Sequence, residues 1–327
     1  MNKTVLTRNR NIKKIILLTV ISAIICIAYM TINLKFGNPK LLKYALGIRT
    51  PKLIAMLITS IAIGGASLIF QSIINNRIVT PCLLGCNSLY TLVHTLVVFI
   101  AGSGSVLATS RNLSFVVDLI IMGFSATFIY GFMFKKAKYN VLYVLLIGTV
   151  LTSFFSSIQN TLTRVMDPNE YDSLLASLVA SFNNVNSQVI VLSIILLILI
   201  VIVLWRDLRL LNVITLGKDQ AINLGVDYDR VIRRLLVGVV LAIAIATALV
   251  GPISFLGLII ANLSRQLMKT FRHTQLIYAT SLFGVIVLIG GQLLVEHVFN
   301  YVIPVSVFVT VGGGIYFLYL LLTGRKV

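Results

Sequence analysis

The sequence predicts an all-α, polytopic membrane protein with about ten transmembrane helices, and three observations carry that prediction. The chain of 327 residues is 58% hydrophobic, with a mean hydropathy of +1.01. Only 11% of its residues are charged, and these fall between long apolar runs and almost never within them. Runs such as Ile54 to Ile69, Val141 to Phe155, Val189 to Trp205 and Leu235 to Val250 approach or reach the length that crosses a bilayer. A hydrocarbon core offers no water to unpaired backbone groups, so such runs must be helical. Residues 1–327 read as one membrane domain, with no room for a sizeable soluble one.

The expected spans lie near 15–34, 53–74, 83–101, 113–134, 141–162, 188–205, 231–250, 253–264, 275–295 and 302–322. The first follows a basic stretch through Lys13 and Lys14 and lacks an Ala-x-Ala-like exit, so it reads as a retained helix. The fifth carries a stripe of Gly148, Thr152, Ser156 and Asn160 at i, i+4 spacing, with Thr149, Ser153 and Ser157 beside it. Two readings fit this stripe, close helix packing or the lining of a wet pathway. The eighth span is short and opens with Gly251-Pro252, which predicts a half-helix buried among its neighbours. Glycine clusters at Gly64-Gly65, Gly290-Gly291 and Gly312-Gly313-Gly314 predict tight helix crossings.

Charge then orients the chain. Lys and Arg prefer cytoplasmic loops, and an inside N-terminus with ten spans puts twenty of the 27 basic residues on the cytoplasmic side. Both termini are then cytoplasmic. Five of the remaining basic residues, Lys35, Lys40, Lys43, Arg49 and Lys52, share one external loop. That loop is either an interfacial segment snorkelling to headgroups or a docking surface for an acidic partner or anionic substrate. The only long cytoplasmic loop, about 206–230, contains Lys218-Asp219-Gln220-Ala221-Ile222-Asn223-Leu224-Gly225. There Asp219 is expected to cap a short helix, Gly225 to end it with positive φ, and Asp227 to cap the next helix. Such an element is either a plain interfacial helix or a lever on the cytoplasmic face.

Several function classes fall away. His94 and Asp118 are the main ionisable groups inside the spans, which argues against self-powered secondary transport. No Gly-x-x-x-x-Gly-Lys-Ser/Thr phosphate loop is present, so ATP hydrolysis is not expected of this chain. A membrane-embedded enzyme needs convergent polar groups at membrane depth, and a stand-alone channel needs no ATPase; these are the rival classes. No catalytic residue, cofactor or metal is expected. Cys82 and Cys86 sit at i, i+4 but lack His, Asp or Glu nearby in sequence and read, with Cys26, as small buried hydrophobes.

In order along the chain, Arg49-Thr50-Pro51-Lys52, then Gly64-Gly65-Ala66 with Gln71, Asn76, Pro81 and Gly85, then Leu216-Gly217 through Leu224-Gly225-Val226 form a series. Gly251-Pro252-Ile253-Ser254-Phe255-Leu256-Gly257-Leu258 and Ile303-Pro304-Val305 with Gly312-Gly313-Gly314-Ile315-Tyr316-Phe317-Leu318 complete it. This series resembles the FecCD-type permeases of ABC importers for iron–siderophore complexes, haem and cobalamin, most closely those of Gram-positive catechol-type siderophore importers. The sequence departs from the family pattern at Arg77, where Pro is usual, at Ala261-Asn262 in place of Pro-His, at Ala180-Ser181 in place of Gly-Ser, and at Glu296-His297, where an external arginine is usual.

The resemblance implies a type II ABC importer permease fold in the cell membrane and ATP-driven import of an iron–siderophore complex, or alternatively of haem or cobalamin. It implies a second permease subunit (a paralogue or a second copy), two ATPase subunits and an external substrate-binding (lipo)protein as partners, with membrane lipids around them and no nucleic acid. Arg49 and Lys52 would dock the binding protein. Gly217, Lys218, Asp219, Ala221, Leu224 and Gly225 would couple to the ATPase. The pathway would lie at the permease–permease interface, where Gly148, Thr152, Ser156 and Asn160 would face it.

Overall fold

A computed structural model describes residues 3–32, 39–102, 105, 111–136, 141–183 and 185–323. Twelve α-helices and one 3₁₀ turn make up these residues, with no strand among them. The helices are α1 (Lys3–Thr31), α2 (Pro39–Ile74), α3 (Cys86–Ala101), α4 (Arg111–Lys136), α5 (Val141–Val165), α6 (Pro168–Leu178), α7 (Ser187–Ile214), α8 (Lys218–Asn223), α9 (Tyr228–Val250), α10 (Leu256–Met268), α11 (His273–His297) and α12 (Val305–Thr323). The 3₁₀ turn, Pro81–Leu84, leads into α3. Six of the described helices are long and apolar enough to cross a membrane, α3 and α12 contribute shorter apolar stretches, and each of the ten expected spans falls on a described helix.

The bundle is built around α2 and α9. In their most apolar stretches 78% and 72% of residues are buried, against 17% for α1. Helix α2 packs on α11, α9, α10 and α7, and α9 packs in turn on α7 and α4. Lipid tails are as apolar as leucine, so close fit rather than hydrophobic expulsion holds such helices together. The fit depends on small residues. A Cβ on Gly284 of α11 would lie 2.9 Å from Ser60 Cβ of α2, and one on Gly257 of α10 would run into Ser67. Of each expected glycine cluster, one member makes a close approach: Gly64 to Ile260 and Thr280, Gly291 to Val305, and Gly313 to Phe255.

Several hydroxyls buried in these crossings satisfy themselves locally, although Thr59 and Ser67 of α2 do not. Ser60, Ser72, Ser193, Thr247 and Thr280 each donate to the carbonyl four residues back.

The eighth span is a half-helix, as its Gly-Pro opening predicts. Thirteen residues of α10 reach about 20 Å, short of the roughly 30 Å hydrocarbon core. The non-helical segment 251–255 supplies the rest, and it is tolerated because protein surrounds it. Gly251 takes φ +91°, and a Cβ there would lie 2.8 Å from Ala180 Cα. Ser181 N–H donates to Val250 O at 2.9 Å, and Ser306 Oγ donates to Ala180 O at 3.0 Å. The connection between α6 and α7 is thereby stitched into this break.

Two sequence expectations need correction. The basic external loop is largely helical: α2 begins at Pro39 and runs through Pro51. Proline suits a first turn, and Leu41, Leu42, Lys43, Ala45 and Leu46 all favour helix, so nothing stops the helix before the span. The long cytoplasmic loop is also mostly helical, because α7 continues to Ile214 and carries Arg206 and Arg209 beyond the apolar run. Lys35 of the external segment lies outside the described residues.

Candidate functional site

Side-chain contacts sort the polar residues into two ends of the bundle. At one end Arg49, Lys52, Asn183, Glu296 and Tyr301 meet. At the other lie Lys14 with Leu267 O, Arg265 with Ser72, Asn262 with Arg77 O, His273 with Asn212, and Lys218 with Asp229. This is the partition that the charge distribution predicts.

At the first end the two expected docking cations are committed to their own chain. Arg49 Nη1 donates to Ile32 O at 2.7 Å and Tyr29 O at 3.0 Å. It thus covers carbonyls that the end of α1 leaves open. Lys52 is only 7% exposed; its ammonium donates to Asn183 Oδ1 at 2.9 Å and lies 5.4 Å from the Tyr301 ring centroid. The helical continuation of α2 turns Lys52 inward, so it does not present itself as an external contact.

Glu296 completes this network. It accepts from Tyr29 Oη at 3.1 Å and from Gln292 Nε2 at 2.8 Å. Burial, and then the Glu296 carboxylate, pushes the Tyr301 hydroxyl above its ordinary value. Glu296 is the only carboxylate after Asp229 in the sequence, a signal that could have marked it as the hub here. Lys40 and Lys43, on the first turns of α2, stand exposed at the same end.

At the second end the sequence places a short helix well. Helix α8 spans Lys218–Asn223, and Gly217 (φ +108°) and Gly225 (φ +81°) both take the left-handed region expected of turn glycines. Val226 N–H donates to Ala221 O at 3.0 Å and Gly225 N–H to Ile222 O at 2.9 Å, the paired bonds of a Schellman stop. Asp227 caps α9, accepting from Arg230 N–H at 3.2 Å. Asp219 is not the cap of α8. Gly217 holds that position with no side-chain bond, and Asp219 lies in the first turn, where its charge suits the helix dipole. Ala221 is buried, while Leu216, Ile222 and Leu224 are 54%, 50% and 62% exposed.

The α5 stripe divides. Gly148 is buried, with room for no Cβ beside Leu84. Thr152 lies against Gly85, and Ser156 Oγ is 3.5 Å from Ser88 Oγ. These three face the 3₁₀ turn and α3 of the same chain, so of the expected stripe only Asn160 is exposed. The flanking Thr149, Ser153 and Ser157 are exposed instead.

His94 and Asp118 form a buried pair, Nδ1 to Oδ2 at 2.7 Å, and His94 Nε2 lies 2.9 Å from Ser177 Oγ. Serine, histidine and aspartate in this order suggest a nucleophile, but Ser177 Oγ already donates to Leu174 O at 2.7 Å. Its proton is committed, and the trio ties α3, α4 and α6 together.

Among the described residues, an all-helical bundle with a broken span and a short helix beyond one end is a multi-pass membrane protein, and its family and relatives make that class a transporter permease rather than an enzyme. The chain belongs to the FecCD transport family, whose model matches residues 15–323. It is 39% identical over 317 residues to the petrobactin import system permease protein YclO of Bacillus subtilis (strain 168), covering 97% of this chain and 99% of that one. It is 31% identical to the petrobactin import system permease protein FatC of Bacillus anthracis, over 85% and 78% of the two chains. Its fold matches a solved structure, an inward-facing conformation of a metal-chelate type ABC transporter, with a TM-score of 0.81 at 22% identity over 96% and 99% of the chains.

Proposed function

We propose that this chain is the membrane-spanning subunit of an ATP-driven importer for an iron–siderophore complex. It receives cargo from an external binding protein at the Arg49 end and works with a second permease and two ATPase subunits. Both termini are cytoplasmic in this reading. Petrobactin, named in two of the relatives, is the first cargo to test.

The observation that carries the reading is α8. A six-residue helix held between two positive-φ glycines is rigid for its size, yet it leaves Leu216, Ile222 and Leu224 exposed beyond the end of the spans. Apolar groups clustered outside the membrane mark a surface that a partner covers. An ATPase subunit seated there would transmit its closure to α7 and α9, and the two permeases would rock to alternate access.

The test is uptake of iron-55 bound to petrobactin by cells lacking this gene, with and without plasmid-borne copies. Uptake that depends on the gene, on ATP and on an intact ATPase partner is the expected result. Undiminished petrobactin uptake in the deletion strain, with loss of uptake of haem or cobalamin instead, would reassign the cargo within the family.

A further inference from the structure

A cavity of about 240 Å³ lies where α3, α4, α6 and α9 meet, beside the Gly251-Pro252 break. Tyr90, Ser114, Asp118, Ser177, Ala248 and Val250 are among its walls. Asp118 is 2% exposed and engages His94 through Oδ2, while its buried Oδ1 has no hydrogen-bond partner among the described residues. A carboxylate oxygen left so within a span is costly unless positive charge meets it. The end of α9 adds to that demand. Thr247 O and Val250 O accept from the N–H groups of Gly251 and Ser181, but Ala248 O has no N–H four residues on, because Pro252 stands there. A helix C-terminus is also the negative end of the helix dipole.

Protons in the trio can be counted. Ser177 gives its only proton to Leu174 O, so His94 Nε2 must donate to Ser177 Oγ. The 2.7 Å contact between His94 Nδ1 and Asp118 Oδ2 needs a second proton. The pair thus holds one proton more than a neutral histidine beside an aspartate ion. Tyr90 and His94 of α3 and Asp118 of α4 are the titratable groups in the walls; α5, α6, α7 and α9 contribute no charged or titratable side chain to them.

We propose that this cavity binds a hard monovalent cation, sodium or potassium, in exchange for the proton of the His94–Asp118 pair. Asp118 Oδ1, the Ser114 and Tyr90 hydroxyls and Ala248 O supply oxygen ligands, and the volume leaves room for waters to complete the shell. A carboxylate beside the carbonyl end of a broken helix is what membrane spans use to hold such ions. One carboxylate balances one charge, whereas a divalent ion would leave an excess at membrane depth. When the proton leaves, His94 keeps Nδ1–H for Asp118 and accepts the Ser177 hydroxyl proton at Nε2, so the exchange conserves charge. The site rests on the bundle and not on the cargo proposed above.

The test is thermal melting of the purified full chain in phosphatidylcholine nanodiscs, in sodium, potassium or N-methylglucamine chloride at equal ionic strength. An ion that binds only the folded chain stabilises it, so one alkali cation should raise the melting temperature above that in N-methylglucamine. Its affinity should fall about tenfold for each unit by which pH drops where the proton competes, and each ion bound should release one proton to an indicator dye. Asp118→Asn keeps the side-chain shape and should abolish both the shift and the release, while Ser114→Ala should reduce the shift. Equal melting of the parent in all three salts overturns the site, as does a shift that persists in Asp118→Asn. Should Asp118→Asn fail to fold, a parent-like shift in Ser114→Ala without proton release overturns it.

Discussion

Lys218 Nζ lies 3.1 Å from Asp229 Oδ1, tying the first residue of α8 to the first turn of α9. Both side chains are about half exposed, 48% and 54%, and such pairs contribute roughly 0–1 kcal/mol. The ion pair therefore trims the position of α8, while Gly217, Gly225 and the buried Ala221 set it. Charge reversal at Lys218 should lower uptake modestly, and Asp229→Lys on top of Lys218→Asp should recover it.

Gly225→Val should be far more damaging. No atom lies within 4 Å of a Cβ there, so the penalty is the positive φ itself, about 1–3 kcal/mol for a β-branched residue. Normal membrane levels, lost uptake and ATP hydrolysis that no longer responds to loaded binding protein are the expected outcome. Parent-like transport and hydrolysis in reconstituted vesicles would remove α8 from coupling.

The division of the α5 stripe is open to thiol chemistry in a background free of Cys26, Cys82 and Cys86. Single cysteines at Thr149, Ser153, Ser157 and Asn160 should react with small polar reagents, with labelling that changes when ATP binds. Cysteines at Thr152 and Ser156 should stay inert, since both face the 81–88 segment of their own chain. Uniform reactivity along both lines would contradict the packing described here.

Stability and docking should separate at the other end of the bundle. Arg49→Ala removes two good hydrogen bonds to the end of α1, each worth about 1 kcal/mol, and should lower the melting temperature. Lys43→Glu touches no such bond, so it should leave melting unchanged while slowing binding-protein association in a salt-dependent way. Equal association rates for Lys43→Glu and the parent, at low salt, would exclude that lysine from docking.

The buried His94–Asp118 pair gives a fifth test. Asp118→Leu strands the imidazole and should destabilise the chain by about 3–5 kcal/mol, read as a large fall in melting temperature. Adding His94→Phe should restore much of the loss, because two apolar partners need no compensation. A double variant no better than Asp118→Leu would show that the trio with Ser177 carries more than the pair.

Much of this was legible in the sequence. The ten apolar runs, the Gly251-Pro252 break, the turn glycines around α8 and the cap at Asp227 are local signals, governed by chain length, φ and nearest neighbours. Helix α6 was equally legible, since Asp167, Pro168 and Glu170 form a strong helix start and Asp167 accepts from Asn169 N–H at 2.9 Å. A reading tuned to spans passes over a helix of eleven residues.

Hydropathy and charge placement by themselves determined that this chain is a helical membrane bundle, where its spans run and which residues share an end. Those are properties of segments, and a bilayer imposes them on each segment alone. Only the tertiary structure decided which face of each helix meets protein. The i, i+4 stripe on α5 looks the same in sequence whether it faces a pathway or Leu84, and Lys52 reads as external until α2 is seen to continue through Pro51. Side-chain direction depends on the packing of helices far apart in the chain, and in a membrane that packing is set by shape, which residue type alone does not encode.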